Sequence, residues 1–198
     1  MSKALLIIDV QTDILNVPGA KRPAVKERFD QVRGRIAGLV RDARDQKLPI
    51  IFVQHDGDPG HRLETGTLGW EICSDLGRTA ADIVVHKTAC DSFYETDLQS
   101  VLSGRGIRHL VAGLMTQYCV DTTCRRAVSL GYDVTLVADA HTTADTEKFT
   151  VEQIVEHHNA LLDGFDAGRA VIQVRRASAV EMRADARERH SLNEAGRR

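Results

Sequence analysis

Cysteine is scarce in this chain. The 198 residues contain four, Cys73, Cys90, Cys119 and Cys124, and none forms a C-x-x-C pair, so a redox or metal motif of that kind is excluded. A chain of this size buries enough core not to need disulfides. Dense basic blocks are missing outside the C-terminus and the formal net charge is −2, which gives no reason to expect a nucleic acid or a membrane surface as partner. No run approaches the roughly 20 apolar residues of a membrane span. The opening "MSKALLIID" has too short an apolar run for a secretory signal and ends on an acid. No G-x-G-x-x-G follows the first β-rich run and no P-loop pattern occurs, so neither nucleotide signature is present and no cofactor is expected. What remains is a reduced, cytoplasmic protein with a small molecule as its partner.

What is present is an alternation of short β-rich runs and longer helical patterns. "ALLIID" (4–9), "PIIFVQH" (49–55), "DIVVHK" (82–87), "RHLVAG" (108–113), "DVTLVAD" (133–139) and "AVIQV" (170–174) are nearly continuous in Val, Ile and Leu. Strands of this kind have both faces covered, and the segments between them are long enough for crossover helices. The expectation is a single α/β domain over 1–198, a three-layer sandwich with a six-stranded, largely parallel sheet. Helices are expected at about 24–47, 97–104, 117–130 and 147–163. The second opens on a capping box at Thr96 and Gln99, and the third stops at Gly131. Residues 56–77 are rich in Gly and turn formers and read as a long functional loop. Residues 175–198 read as a charged, solvated tail or edge helix.

Ligands of open α/β sheets bind outside the carboxyl ends of the strands. Asp9 closes strand 1, Lys87 closes strand 3, and the loop after strand 4 enters a helix whose first turn holds Cys119. Each alone is ordinary: a turn acid, a surface lysine, a small buried thiol. Together, an opposite-charge pair beside a thiol is the arrangement that controls cysteine reactivity. With Thr116 as N-cap, Cys119 falls at N3, where the helix N-terminus favours a thiolate. Cys124 lies five helical steps on, roughly 140° around the axis. It joins Val120, Ala127 and Val128 in a buried stripe, while Cys73 and Cys90 read as bystanders in loops, Cys90 the nearer to the site.

Three motifs in order, "LLIIDVQTD", "VVHKTACDSFYETDL" and "VAGLMTQYCVDTTCRRAVSLGYDVTLVADA", make the chain resemble the isochorismatase-like cysteine hydrolases from residue 4 to about 174. The resemblance implies the Rossmann-like hydrolase fold, homo-oligomeric assembly and an Asp-Lys-Cys triad at Asp9, Lys87 and Cys119. It also implies a cis peptide at Leu114–Met115 that aims the Met115 N–H, with that of Cys119, at an oxyanion. The Asp-x-His metal motif of nicotinamidases is absent. His55, Asp56, Asp58 and His61 are the remaining candidate ligands, and no metal is expected.

The implied chemistry is cleavage of a small-molecule amide through a Cys119 thioester. The alternatives are vinyl ether hydrolysis, for which no obvious pair of arginines supplies the pocket, and a non-catalytic binding protein that keeps the fold. Gln11, Trp70, Phe93 and Tyr118 are the candidate substrate contacts, because binding sites pair apolar walls with few polar groups. His141, just past strand 5, reads as a turn residue.

Overall fold

In the computed structural model the described residues are 2–103, 107–112 and 115–182. Seven strands form one sheet: β1 (Ser2–Ile8), β2 (Ile50–His55), β3 (Ile83–Lys87), β4 (Ile107–Ala112), β5 (Asp133–Val137), β6 (Asp166–Ala167) and β7 (Ala170–Arg175). Their order is β3-β2-β1-β4-β5-β7-β6. Six are parallel, and β6 is a two-residue strand antiparallel to β7. Six strands were legible as apolar runs; β6, "DA", has no pattern for periodicity to detect.

The side-chain period of a strand assigns the two faces. Leu5 and Ile7 of β1 pack with Val32, Ile36 and Val40 of α1 (Pro23–Asp45). Leu6 and Ile8 pack on the other face with Leu98 and Leu102 of α2 (Leu98–Ser103) and with Cys124, Ala127 and Val128 of α3 (Asp121–Ser129). The apolar positions of α1, at 25, 29, 32, 36, 40 and 43, follow helical spacing along one stripe. α4 (Val151–Leu162) begins on a capping box in which Thr150 and Gln153 satisfy each other's backbone N–H groups. Its Val151 and Val155 meet Val25 of α1. Among the described residues, no helix is long and apolar enough to cross a membrane.

Three local expectations are corrected. The capping box proposed at Thr96 is half formed: Thr96 Oγ1 accepts from Leu98 N at 3.3 Å, but the Gln99 side chain donates to Tyr132 Oη. The helix expected from 117 begins as a wide π turn over Thr116–Val120, closed by Val120 N–H to Met115 O at 2.7 Å, before α3 proper. It ends as expected: Gly131, at φ 85°, lets Gly131 N–H reach Val128 O and Tyr132 N–H reach Ala127 O, both at 3.0 Å. The C-terminal segment is not solvated from residue 175, since β7 includes Arg175 and Met182 is 6% exposed against the α1 side of the sheet.

This topology decides where a site can form. From β1 the chain builds outward to β2 and β3 on one side; β4, β5 and β7 then lie on the other. The direction of winding therefore reverses between β1 and β4, and the carboxyl ends of those two strands frame a crevice.

Candidate active site

Asp9 leaves β1 at that crevice with φ 52°, in the left-handed region that non-glycine residues seldom occupy. Its N–H is held by Val53 O at 2.9 Å. Lys87, the last residue of β3, lies two strands away, a span of about 10 Å that only a long side chain bridges. Its Nζ donates to Asp9 Oδ2 at 2.7 Å, to Ala89 O at 2.8 Å and to Cys119 Sγ at 3.3 Å. Asp9 is 1% exposed, Lys87 2% and Cys119 9%, so the three groups meet away from bulk water. Asp9 Oδ1 is buried with no hydrogen-bond partner among the described residues. Such an atom is costly unless the site has a use for it.

Burial pushes the Cys119 thiol above its ordinary range and the Asp9 carboxylate pushes it further, with Lys87 opposing both. For Lys87, burial acts downward, yet Asp9 and Cys119 outweigh it and the ammonium is held charged above its usual value. Burial and Asp9 therefore oppose the thiolate that a helix terminus was expected to favour. Thr116 is not the N-cap: Met115 is, and no side chain caps the turn.

Thr116 instead anchors the turn. Its N–H donates to Thr142 O at 3.0 Å and its Oγ1 lies 2.9 Å from His141 Nδ1. His141 Nε2 is 2.9 Å from Asn159 Oδ1, while Asn159 Nδ2 donates to Ala138 O at 3.0 Å. That orientation makes Asn159 Oδ1 the acceptor, places the imidazole proton on Nε2 and leaves Nδ1 to accept from Thr116. Burial lowers the His141 pKa to about 4, so the ring is neutral. His141 is thus a structural brace on the turn that carries Cys119.

The profile of the isochorismatase domain matches residues 3–174. The chain belongs to the isochorismatase family. It is 38% identical to a streptothricin hydrolase of Streptomyces noursei over 72% of this chain and 50% of that protein. It is 42% identical to a ureidoacrylate amidohydrolase of Caulobacter vibrioides, over 69% and 75%. A solved isochorismatase from Pseudomonas putida superposes with a TM-score of 0.78 at 28% identity, covering 90% of each chain. The chain spans about half the length of the streptothricin hydrolases it matches.

In this family member Asp9 and Cys119 open onto a cavity of about 210 Å³. Ile14, Leu63 and Met115 supply apolar lining, and Tyr118, 53% exposed, also borders it. His55, His61, Arg62 and Cys90 complete it. Of the candidate substrate contacts, only Tyr118 lines this cavity. Gln11 is fully buried, donating to His55 O and Trp70 O and accepting from His55 N–H at 2.8–2.9 Å, so it ties β2 to the long loop. Trp70 donates from Nε1 to Asp56 Oδ1 at 2.7 Å and stacks on His86. Phe93 stacks on Tyr132 within the core. These three do not line the cavity, since a residue near a motif in sequence need not face the same space.

Of the four candidate metal ligands, His55 and His61 line the cavity and Asp56 and Asp58 do not. Asp56 is engaged by Trp70 and by His86 Nδ1 at 3.0 Å, whereas His55 and His61 border the cavity with ring centroids 5.6 Å apart. Burial first, then Lys87, holds His55 below its ordinary pKa. Cys124 is core, its thiol pushed up to about 12 by burial. Leu114 lies outside the described residues, and with it the Leu114–Met115 peptide. Ile14, Arg62 and Leu63 were missed, although Arg62 and Leu63 lie in the long loop that leaves the carboxyl end of β2.

Proposed function

We propose that the chain is a cysteine hydrolase that cleaves the C–N bond of a small-molecule amide with Asp9, Lys87 and Cys119. One observation carries this reading: a single buried ammonium holds a carboxylate at 2.7 Å and a thiol sulfur at 3.3 Å beside a cavity. In the proposed cycle Asp9 takes the Cys119 proton as the sulfur attacks the carbonyl carbon. Lys87 keeps its proton throughout and balances the charge as it moves from carboxylate to sulfur to substrate oxygen. The backbone N–H groups of Met115 and Cys119 are the proposed donors to that oxygen. Collapse breaks the C–N bond, and the proton held by Asp9 goes to the leaving amine. Water then gives a proton to Asp9 and its oxygen to the thioester carbon, releasing the acid and returning the proton to Cys119.

The amide reading over a vinyl ether is supported by the hydrolase and amidohydrolase names of the relatives, and by a cavity smaller than the roughly 300 Å³ at which ligand pockets usually begin. Within this proposal the catalytic domain is a three-layer sandwich, with helices on both faces of the parallel sheet. The test is ammonia or amine release from a panel of small amides by the wild type and by Cys119→Ser. Turnover by the wild type and none by the variant is the expected result. Equal turnover by both rules the mechanism out.

A further inference from the structure

Arg62 is the cationic side chain that lines the cavity outside the Asp9–Lys87–Cys119 group. The loop that carries it has a fixed shape. A Cβ on Gly57 would collide with His61 Nδ1 and come within 2.7 Å of Leu63 O. His61 Nδ1 also accepts from Leu63 N–H at 3.2 Å, and Gly57 N–H donates to Leu63 O at 2.9 Å. The turn from 57 to 63 is thereby closed on itself, and Arg62 projects from a set position.

The guanidinium is held along one side only. Nε donates to Ile14 O at 3.1 Å, whereas Nη1, 3.3 Å from His61 Nε2, finds no acceptor there, because a neutral ring whose Nδ1 accepts from Leu63 N–H carries its proton on Nε2. Among the described residues no carboxylate comes within ion-pair distance of it, and three of the acids of the cavity and its loop have other partners. Asp9 is paired with Lys87, Asp56 with His86 and Trp70, and Glu64 accepts from Gly60 N–H at 2.8 Å. A guanidinium has five donors in a planar fork that matches a carboxylate. Here most of them lack a protein partner, and the cavity beside them also contains the thiol.

We infer that Arg62 anchors a carboxylate of the substrate, so that the preferred substrates are short acids carrying an amide within a few bonds of the carboxylate. This rests on the hydrolase reading and names its substrate class. The small cavity sets the length, and the Asp9–Lys87 pair adds no net charge to oppose an anion.

Alkylation of Cys119 tests the anchor without requiring turnover. Iodoacetate and iodoacetamide react by the same displacement and differ in charge. The rate of each at Cys119, identified by peptide mass, is divided by its rate with 2-mercaptoethanol. The acetate-to-amide ratio is expected to fall about tenfold in Arg62→Gln, as for loss of a charge-assisted contact, and to be partly retained in Arg62→Lys. The iodoacetamide rate should stay constant across the three proteins. A ratio unchanged in Arg62→Gln, or an equal loss of both rates, overturns the anchor and leaves Arg62 as loop structure. Hydrolysis of succinamate against pentanamide extends the test, with KM for succinamate alone expected to rise about tenfold in Arg62→Gln. Turnover that persists in Cys119→Ser would instead end the parent reading, whatever the alkylation ratio.

Discussion

Lys87 Nζ and Asp9 Oδ2 are 2.7 Å apart, both side chains are essentially inaccessible, and they come from strands separated by β2. A buried pair of this kind is weak evidence for stability, because desolvating two charges offsets much of their attraction. Its persistence in a core otherwise built of Val, Ile and Leu therefore points to chemistry. The third contact of the ammonium is to the sulfur of Cys119, the proposed nucleophile.

Removing one member of the pair should be far worse than removing both. Lys87→Met leaves a buried carboxylate without its partner and is expected to cost about 3–5 kcal/mol. Lys87→Met combined with Asp9→Asn should recover much of that loss while remaining inactive. Urea midpoints of Lys87→Met, Asp9→Asn and the double variant measure this, and additive losses would show that the two residues do not act as a unit.

Asp9→Asn should separate thiol reactivity from catalysis. Burial and the carboxylate raise the Cys119 pKa and Lys87 lowers it, so deleting the acid's charge leaves chiefly burial to oppose the ammonium. Iodoacetamide should then alkylate Cys119 about tenfold faster at pH 8, one pKa unit's worth. Amide hydrolysis should drop by about 100-fold or more for want of a base. The label must be located by peptide mass, because Cys90 is exposed and borders the same cavity. Alkylation that slows together with hydrolysis would mean that Asp9 already holds the thiol proton in the resting enzyme.

The strands and the meeting of Asp9, Lys87 and Cys119 were legible for the same reason. Near-continuous Val, Ile and Leu runs marked β1, β2 and β3, and the polar residue ending β1 or β3 stood out against that background. The cavity wall was not legible, because it depends on which way loop side chains turn. Gln11 and Trp70 sit beside the site in sequence, yet their polar atoms bind His55 O and Asp56. Arg62 and Ile14 reach the cavity through hydrogen bonds between segments about 50 residues apart. The π turn was also hidden: a wide turn and an α-turn share the same apolar spacing over five residues, and only the Val120-to-Met115 bond distinguishes them.

Tyr118 and Phe93 should respond oppositely to truncation. Phe93 is 9% exposed and stacked on Tyr132, so Phe93→Ala should lose about 3 kcal/mol of stability. Tyr118 borders the cavity with half its surface exposed, so Tyr118→Ala should stay within about 0.5 kcal/mol of wild type and change KM. Thermal denaturation and steady-state kinetics on both variants decide it. A KM effect in Phe93→Ala without a stability loss would return Phe93 to the pocket.

His141 should make the fold sensitive to acid. Its folded-state pKa, about 4, lies below the ordinary 6.5 because the ring is buried. Between those values the unfolded chain binds a proton that the folded chain does not, so stability falls as pH drops through the window. It is complete above about 6.5 and fully lost near 4, a change of about 3 kcal/mol. His141→Asn removes the titrating ring together with its contacts to Thr116 and Asn159, and so should be destabilised at pH 7. Its deficit against wild type should then shrink by about the same 3 kcal/mol on going to pH 4, because only the wild type carries the penalty. Denaturant midpoints of both proteins from pH 4 to 7 give the difference directly. A deficit that stays constant with pH would mean that His141 is protonated in the folded protein. Thr116 would then have to accept from Nδ1 rather than donate to it, reversing the hydrogen bond that holds the Cys119 turn.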